Sequence, residues 1–542
     1  MSKVKAIHPA LQNVPEKSKL VEAVAKLGNT PNHQDGNFKH ETASITANTS
    51  DPKIDEIKKC VWKRPHEIFG TDYDNIKLFG TMNPNNIIPG ALDMVYFPAA
   101  VYAVAERPAR LMSCFVNKSC NSLGIYSIRL HRAGMSQEVL VDDYIPCVER
   151  DGKFVPLFSQ NTENELWMFL LEKAVAKLYK TYLGLKLFTP EQVLEDILGV
   201  PSYTHNIKKE NENQIWRNVL GAEIDNYIIS ATSKNDSSAS DKGLLKNTLY
   251  NLISVHEIKG HKLIKVRNVG DKVKWTGLFQ EEGDLWDDEL REEIGHYSSE
   301  DGSFMITLEE LIKCFESYTI ARIEDGYTYT VGIKDAKQMY KNSAYFDFRC
   351  HSKQKVYIKV ANLPFFNDQK TKIEPYPLSI PTLTLLEAGG STFTPINHDP
   401  NDVLLPSENI KTMDLTNKKG ITIEGGNYVI RVKNYNFAKC QYCIVTCYSD
   451  GSHTLNPMDH VQQFIPRCVW SLARAPTAKK QPKQNNCYVV EGRLGLYYYI
   501  AFVNNDSKVK YTANITLTQL NNLELAKPFK LPSQQQGTSL AQ

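Results

Sequence analysis

The chain has 542 residues, of which 42% are hydrophobic and 23% are charged, and its formal net charge is +2. That length suggests two to four domains. The near-neutral charge gives no general attraction to nucleic acid or to an acidic membrane surface. No run of about 18 apolar residues occurs, so no transmembrane helix is expected, and Met1–Lys19 lacks the apolar stretch of a secretory signal. Eleven cysteines at scattered spacings indicate reduced thiols in a cytoplasmic protein rather than a disulfide framework.

Residues 1–50 have the composition of a largely disordered lead, with one exception. Apolar residues recur at helical spacing within Lys17–Leu27, which predicts a short amphipathic helix. Such a helix could dock on a partner or fold back on the body of the protein, and the sequence leaves both open. The stretch Asn29–Ser50 is typical of a linker.

The stretch Pro89–Val104 combines a glycine-bearing turn with an apolar helix that has Pro98 in its first turn. The start of a buried helix stabilises an anion through free N–H groups and the helix dipole, so an enzyme can place a nucleophile there. This place holds Val95, and valine has no lone pair with which to attack a carbonyl.

This stretch resembles the calpain cysteine-protease family, in which Gln-Gly-x-Leu-Gly-Asp-Cys-Trp precedes a helix containing Ala-Ala. Without a gap, the matching residues are Gly90, Leu92 and Ala99-Ala100. The resemblance places Val95 at the position of the nucleophile and Pro89 at the position of the oxyanion-hole glutamine.

Two later segments carry the same resemblance. Gly243–Tyr250 is similar to the family's Gly-Leu-Val-Lys-Gly-His-Ala-Tyr, which puts Thr248 at the position of the catalytic histidine. Lys262–Gly277 resembles the run around Arg-Asn-Pro-Trp-Gly, with Asn268 as the orienting asparagine and Val269-Gly270-Asp271 in place of Pro-Trp-Gly.

These replacements decide the chemistry that the resemblance implies. Threonine at neutral pH cannot take up a proton as imidazole does. In a comparable hydrolase, loss of one triad member costs roughly six orders of magnitude in turnover. A missing oxyanion-hole side chain alone costs about 2.7–4 kcal/mol. The sequence therefore predicts a protease fold without protease chemistry.

Other segments match the scaffold of the family more closely. Trp62–Pro65 matches the opening Trp-x-Arg-Pro, and Asn164–Lys177 is nearly the family's Asn-Glu-Phe-Trp…Leu-Leu-Glu-Lys-Ala-Tyr-Ala-Lys. The apolar periodicity predicts a helix over Asn161–Tyr182 that begins with a capping box of Thr162 and Glu165.

Several local features can be predicted from turn and capping residues. Asp142 and Asp143 lie in a Val-Asp-Asp-x-x-Pro-like segment and are interpreted as ordinary turn acids. A second helix is expected to begin at Thr189-Pro190-Glu191 and to end at Gly199. Ser230–Lys242 is predicted to be a mobile polar loop.

The second half of the core is predicted to follow that loop. Strands are expected at Thr248–Glu257 and Leu263–Val269. A capping box of Thr307 and Glu310 predicts a last helix that reaches Phe315.

Calpain cores bind two calcium ions, and the resemblance identifies acidic ligand positions for them. These are Glu165 in the first half and Glu281 and Asp301 in the second. Further ligand positions are filled by other residues, namely Asn86, Lys274 and Ser303. Because a lysine repels a calcium ion, weak or absent calcium binding is expected. No other cofactor is indicated.

From about residue 325 the pattern changes to alternating strands, which favours an antiparallel sandwich. Gly425–Ile430 resembles the Pro-Gly-x-Tyr-x-Ile hairpin of the C2-like domain that follows calpain cores. The three cysteines within Cys440–Cys447 have no second ligand pair at zinc spacing and are interpreted as buried thiols. The expected strands are Tyr327–Val331, Ala344–Cys350, Lys355–Ala361, Thr382–Leu386, Gly426–Lys433, Cys440–Tyr448, Cys487–Glu491, Leu496–Asn504 and Val509–Leu517.

The predicted fold class is an α+β, papain-like, two-lobed calpain protease core followed by an all-β C2-like sandwich, either one expanded domain or two. The expected boundaries are a disordered lead over 1–50, a core over 51–323 with lobes of about 51–200 and 201–323, a sandwich over 324–455, further strands over 456–525 and a disordered tail over 526–542.

The favoured function is that of a non-catalytic pseudoprotease that acts as a structural or protein-binding component. Calpain-like chains with degenerate triads are familiar from ciliates and flagellated protists, and some associate with the cytoskeleton. The resemblance therefore implies a cytoplasmic location, including the cytoskeleton or a cilium or flagellum, and protein partners, including cytoskeletal or axonemal ones.

Two alternatives are kept. One is a soluble regulator that competes with active calpain-like proteases for substrates or partners. The remote one is an active calcium-dependent cysteine peptidase that uses other residues. Cys114 and Cys120 lie beyond the helix, in a region that does not face the groove in the family. No nucleic-acid partner is expected, and lipid contact through the sandwich is left open.

Overall fold

The computed structural model divides the chain into two compact units, one formed by the described residues up to Glu324 and one by those from Asp325 onward. The residues that the structure describes are 15, 17–27, 32–46, 54–88, 96–132, 134–187, 189–268, 273–296, 301–338, 343–364, 382–389, 392–395, 420–433, 440–458, 473, 478–483, 487–494, 497–504, 529–530 and 537–541.

Twelve α-helices have their bounds within the described residues, and all of them lie in the first unit. They are α1 (Lys19–Leu27), α2 (Thr42–Ile45), α3 (Ile54–Lys58), α4 (Pro65–Phe69), α5 (Tyr96–Ala105), α6 (Pro108–Cys114), α7 (Trp167–Leu178), α8 (Pro190–Leu198), α9 (Glu212–Ile224), α10 (Ser237–Ser240), α11 (Asp288–Ile294) and α12 (Leu308–Cys314).

The first unit also contains short sheets and one large antiparallel sheet. Its strands are β1 (Val61–Lys63), β2 (Ile87–Ile88), β3 (Ile125–Arg132), β4 (Met135–Asp142), β5 (Ile145–Arg150), β6 (Lys153–Pro156), β7 (Gln160–Asn161), β8 (Ser202–Asn206), β9 (Ile228–Ser233), β10 (Leu249–Ile258), β11 (His261–Arg267), β12 (Ser303–Thr307) and β13 (Phe315–Ala321). The large sheet has six strands in the order β12-β11-β10-β9-β13-β8.

Two hydrophobic cores divide the first unit into two lobes. The first lobe is built around α5 and α7, and every residue of α7 except Lys177 is buried. The second lobe is built around the six-stranded sheet, against which α9 and α12 pack. Helix α5 also packs on β9 and β10, so it joins the two lobes. The segment Asn164–Lys177, which resembles the family's scaffold, therefore forms part of the interior of the first lobe.

Helix α1 confirms the predicted amphipathic helix and resolves where it docks. Its buried residues Leu20 and Val24 pack against Val116, Leu123 and Ile125 of the first lobe. The helix therefore folds back on the body of the protein.

The structure differs from the predicted linker over residues 32–46. Phe38 and Ile45 are buried in the core of the first lobe. The backbone N–H of Asp35 donates to Asp142 over 2.6 Å, and Lys177 Nζ lies 2.5 Å from the Asp35 carboxylate. The polar residues of this segment are thus tied to buried charges, which composition alone does not reveal.

The predicted capping box of Thr162 and Glu165 is wrong. Helix α7 begins at Trp167, and its N-cap residue Leu166 makes no side-chain cap. The Glu165 carboxylate instead accepts hydrogen bonds from Trp167 Nε1 (2.7 Å) and from the backbone N–H of Met82 (3.1 Å). A distant backbone N–H and the neighbouring Trp167 indole therefore bind the carboxylate that the local pattern assigned to the helix start.

The interpretation of Asp142 and Asp143 as ordinary turn acids is also wrong, because both are fully buried. Asp142 pairs with Lys173 of α7, and His40 Nε2 lies 2.9 Å from its carboxylate. Asp143 pairs with Arg64 over 2.9 Å. Such carboxylates are stabilised only because cations are buried with them.

The predicted polar loop Ser230–Lys242 is instead largely folded. Its first residues belong to β9, a central strand of the large sheet, and Ser230 and Ser233 are fully buried. Two caps agree with expectation, since Gly199 ends α8 in the left-handed conformation and Thr307 with Glu310 forms a capping box at α12.

Apart from a short 3₁₀ helix at Ala336–Gln338, the described part of the second unit consists mainly of antiparallel strands. They are β14 (Thr328–Asp335), β15 (Ser343–Cys350), β16 (Gln354–Pro364), β17 (Thr382–Gly389), β18 (Thr392–Pro395), β19 (Ile421–Ile423), β20 (Gly426–Lys433), β21 (Cys440–Ser449), β22 (His453–Met458), β23 (Lys480–Pro482), β24 (Cys487–Leu494), β25 (Tyr497–Asn504), β26 (Phe529–Lys530) and β27 (Gly537–Ala541). The strand predicted over Val509–Leu517 lies outside the described residues.

Two sheets of the second unit share one core. A four-stranded sheet (β14-β21-β16-β19) and a five-stranded sheet (β18-β17-β20-β15-β22) both contribute buried side chains to it, among them Phe346, Val356 and Cys447. A separate five-stranded sheet has the order β23-β24-β25-β27-β26. Within the described ranges, no helix combines the length and the hydropathy needed to cross a bilayer.

Candidate functional site

The candidate site lies where α5 meets the strands β10 and β11. Asn251 on β10 pairs with Arg267, the last residue of β11, so Asn268 follows at the level of Tyr250. Thr248 immediately precedes β10 and therefore lies at the same end of the strand pair as Asn268. The Asn251 side-chain amide donates to the carbonyl of Ala99 in α5 over 3.3 Å. The beginning of the helix and this end of the two strands are thus close together.

The structure places Thr248 and Asn268 at this junction, whereas Val95 and Pro89 lie outside the described residues. Thr248 is half-buried, and its hydroxyl donates to the carbonyl of Lys246 over 3.0 Å. Its backbone is held by Ser233, which accepts from the Thr248 N–H over 2.9 Å and donates its own N–H to the Thr248 carbonyl over 2.9 Å. Asn268 is buried.

This arrangement limits what the junction can do chemically. A hydroxyl that donates to a backbone carbonyl does not act as a general base at neutral pH, because its conjugate acid is far too strong. The backbone of Thr248 is fixed by the sheet regardless of its side chain. The position of Thr248 is therefore set by backbone hydrogen bonds, and its side chain supplies a hydroxyl and no imidazole.

The first-lobe calcium candidate, Glu165, is 2% exposed. Besides Trp167 and Met82, its carboxylate accepts from the Asn161 amide over 3.4 Å and from the Thr81 hydroxyl over 3.4 Å. In the structure its carboxylate oxygens accept hydrogen bonds from neutral donors of the surrounding chain.

The second-lobe candidates, Glu281 and Asp301, have separate partners. Glu281 lies 3.3 Å from Arg291 Nη1 and 3.2 Å from His296 Nε2. Asp301 is bonded by Arg267 and accepts from the N–H of Ser303 over 2.9 Å. Among the residues that the structure describes, no three His, Cys, Asp or Glu side chains come together as a metal site.

Cys114 and Cys120, the cysteines considered as alternative nucleophiles, are not activated as thiolates. Burial raises the pKa of Cys114 to about 11 and that of Cys120 to about 12. Cys114 is buried, and its thiol donates to the carbonyl of Ile197 over 3.3 Å. A thiol with a raised pKa carries little thiolate at neutral pH and is a poor nucleophile.

Sequence reasoning missed the charged cluster beside the site. Arg267 lies 2.5 Å from Glu106, the residue that follows α5, and its other amino group bonds Asp301. Burial raises the pKa of Glu106, and the positive charge of Arg267 opposes that rise. The available signal was an arginine that ends an apolar strand immediately before the candidate asparagine, with an acid directly after an apolar helix.

Comparison with known proteins reports similarity over the first unit. A family model described as calpain family cysteine protease matches residues 33–322. The calpain-type cysteine protease DEK1 of Arabidopsis thaliana is 27% identical over 305 residues, covering 53% of this chain and 14% of that protein. Calpain-8 of Homo sapiens is 28% identical over 289 residues, which cover 50% of this chain and 40% of calpain-8.

A third relative is similar to this chain to the same extent. The calpain-2 catalytic subunit of Homo sapiens is 27% identical over 305 residues, covering 54% of this chain and 42% of that protein. The chain thus spans less than half the length of the curated relatives that it matches.

Proposed function

This chain belongs to the calpain family of cysteine proteases, and from that premise we propose that it is a member without peptidase activity that works as a structural or protein-binding component. The observation that carries the proposal is the state of Thr248 at the junction of α5 and β10. The hydroxyl there is directed to the Lys246 carbonyl, where catalysis would need an imidazole. Valine at position 95 supplies no nucleophile to a neighbouring base.

The cysteines support the same proposal. An alternative enzyme would need a thiolate, and burial raises the pKa of both Cys114 and Cys120. An activated thiol requires the opposite shift, produced by a nearby cation or a helix N-terminus.

The second unit supports a binding role. We interpret its two sheets with a common core as the C2-like sandwich of the family, and the third sheet as an extension or a second sandwich. Antiparallel strands of this kind present broad faces and edges that can hold protein partners. The proposed partner class is protein, including cytoskeletal or axonemal components.

A peptidase assay on the purified full-length chain tests the loss of activity. Fluorogenic casein is incubated with the protein in calcium and in EGTA, and turnover is expected to equal that of buffer in both. Cleavage that disappears in Cys114→Ser or Cys120→Ser, with the other variant as the matched control, would refute the proposal.

Extraction of the native protein from its cells tests the structural role. Cells are treated with detergent and then with high salt, and each fraction is blotted. Retention in the pellet after detergent is expected for a cytoskeletal or axonemal component. Complete release by detergent would favour the alternative of a soluble regulator that competes with active relatives.

A further inference from the structure

The side chain of Arg267 crosses the junction between the two lobes. Its backbone belongs to β11 and pairs with Ser303 of β12, so it is fixed in the sheet of the second lobe. Its guanidinium lies 2.5 Å from Glu106 and 3.4 Å from the hydroxyl of Tyr102, and Tyr102 lies on α5. The Arg267 side chain is only 11% exposed. One partly buried cation therefore contacts groups of both lobes.

Each side of this contact is supported by further hydrogen bonds. In the second lobe, the Asp301 carboxylate accepts a hydrogen bond from the other amino group of Arg267. It also accepts one from the Ser303 hydroxyl over 2.5 Å. In the first lobe, the Tyr102 hydroxyl donates to Asn85 Oδ1 over 2.5 Å. We call Tyr102, Glu106, Arg267 and Asp301 the arginine clasp.

Guanidinium chemistry suits this position. Arginine presents donors in a rigid planar fork, so one side chain can bind two carboxylates that come from different segments. Partial burial strengthens these bonds because the local dielectric constant is low. The clasp therefore fixes direction as well as distance between α5 and β11.

The same contacts leave poor ligands for a calcium ion. Calcium takes six to eight oxygen ligands, most of them from carboxylates and carbonyls. Asp301 already binds the guanidinium of Arg267, and Glu281 already binds Arg291 and His296. A cation at either carboxylate would have to displace a bonded arginine and lie beside its positive charge. The residues present do not fit the ion that the family implies.

We propose that Arg267 holds the two lobes of the core in alignment and that this alignment does not depend on calcium. The clasp supplies from within the chain the positive charge that an external cation would otherwise bring. This inference goes beyond the proposed function, since the clasp holds the lobes whether or not the protein cleaves peptides.

Hydrogen exchange of the full-length protein, read by mass spectrometry, tests the clasp. In the wild type, exchange of α5 and β10 amides is expected to be the same in millimolar calcium chloride and in EGTA. Arg267→Ala is expected to speed exchange in these two segments about tenfold, the factor for a coupling of ordinary size between contacting charges. Arg291→Ala is the matched control, since that arginine pairs with Glu281 within the second lobe, and it should leave α5 unchanged.

Glu106→Gln loosens the clasp from the first lobe and serves if Arg267→Ala does not fold. It is expected to speed exchange in the same two segments by a smaller factor. Three results would each overturn the proposal: slower wild-type exchange in calcium than in EGTA, unchanged exchange in both clasp variants, or an equal effect of Arg291→Ala on α5.

Discussion

The buried pair of Lys173 and Asp142 makes a sharp test of what stabilises the first lobe. Both side chains are fully buried, and Lys173 Nζ also donates to the carbonyl of Tyr144 over 2.5 Å. Removing one partner of a buried pair costs about 3–5 kcal/mol because the other charge is left without compensation. Asp142 keeps the N–H groups of Asp35 and Tyr144 as donors. We therefore expect Lys173→Met to cost about 3 kcal/mol, the lower end of that range.

The assay is urea-dependent hydrogen exchange of the α7 amides, which reports on the first unit alone. Lys177→Met is the matched control on the same helix, since Lys177 is 18% exposed and pairs with Asp35. It should cost less than Lys173→Met, about 1.5 kcal/mol, because Lys177 is partly exposed although Asp35 is buried. The double variant Asp142→Asn/Lys173→Met should recover about 2 kcal/mol relative to Lys173→Met, because no unpaired charge remains.

The pH dependence of stability gives a second test of the Lys173–Asp142 pair. Burial by itself raises the pKa of Asp142, but Lys173 and His40 hold it well below its usual range. A lowered folded-state pKa contributes stability above the unfolded value of about 3.9 and loses it as the pH falls further. The penalty of Lys173→Met should therefore shrink below about pH 4. A penalty that equals that of Lys177→Met, or that does not change with pH, would refute this account.

Three further predictions concern substitutions at other positions. Glu172 is fully buried, and burial raises its pKa to about 7 against the opposing bonds from Ser159. Because this exceeds the unfolded value of about 4.3, the wild type loses stability as the pH rises from about 4.3 to about 7. The free energy of unfolding of Glu172→Gln, measured in urea, should therefore gain about 2.5 kcal/mol on that of the wild type between pH 5 and pH 8, and a difference that does not change with pH would contradict this. Thr307→Ala removes the cap of α12 and should cost about 1 kcal/mol in the exchange of α12 amides, with the exposed Glu309→Gln as a control of less than half that size. Val95→Cys with Thr248→His should leave casein cleavage at background, since Pro89 and Gly270 still differ from the family, and robust cleavage would show that reasoning to be wrong.

Much of the fold could be predicted because it depends on local patterns. Periodicity located α1 and most strands of the second unit, and turn residues located the ends of α8 and α12. The capping box at Glu165 failed because its carboxylate is bonded by the distant backbone N–H of Met82 and by the neighbouring Trp167 indole. β9 was missed because small polar residues such as Ser230 fit a central strand when their backbone is fully paired.

Part of the candidate site could be predicted from the family resemblance rather than from local patterns. A resemblance identifies positions such as Thr248 and Asn268, and strand register brings those two to one end of a sheet. It does not identify Arg267, because a long charged side chain at the end of a strand is equally compatible with solvent. Only the approach of α5 from the other lobe brings Glu106 within reach of it.

The buried charges show why the proposed loss of catalytic side chains is compatible with an intact architecture. A buried ion pair is weak evidence for stability, since apolar replacements of both partners are often neutral or stabilising by about 1–4 kcal/mol. It does penalise other arrangements, because any shift leaves a charge unpaired in the interior. Lys173 with Asp142 sets α7 against the end of β4, and Arg267 with Glu106 sets β11 against α5. None of these groups is at positions 95 or 248, and the sheet holds Thr248 through its backbone alone. Chemistry and architecture therefore reside in different residues of this core, so one can be lost while the other stays intact.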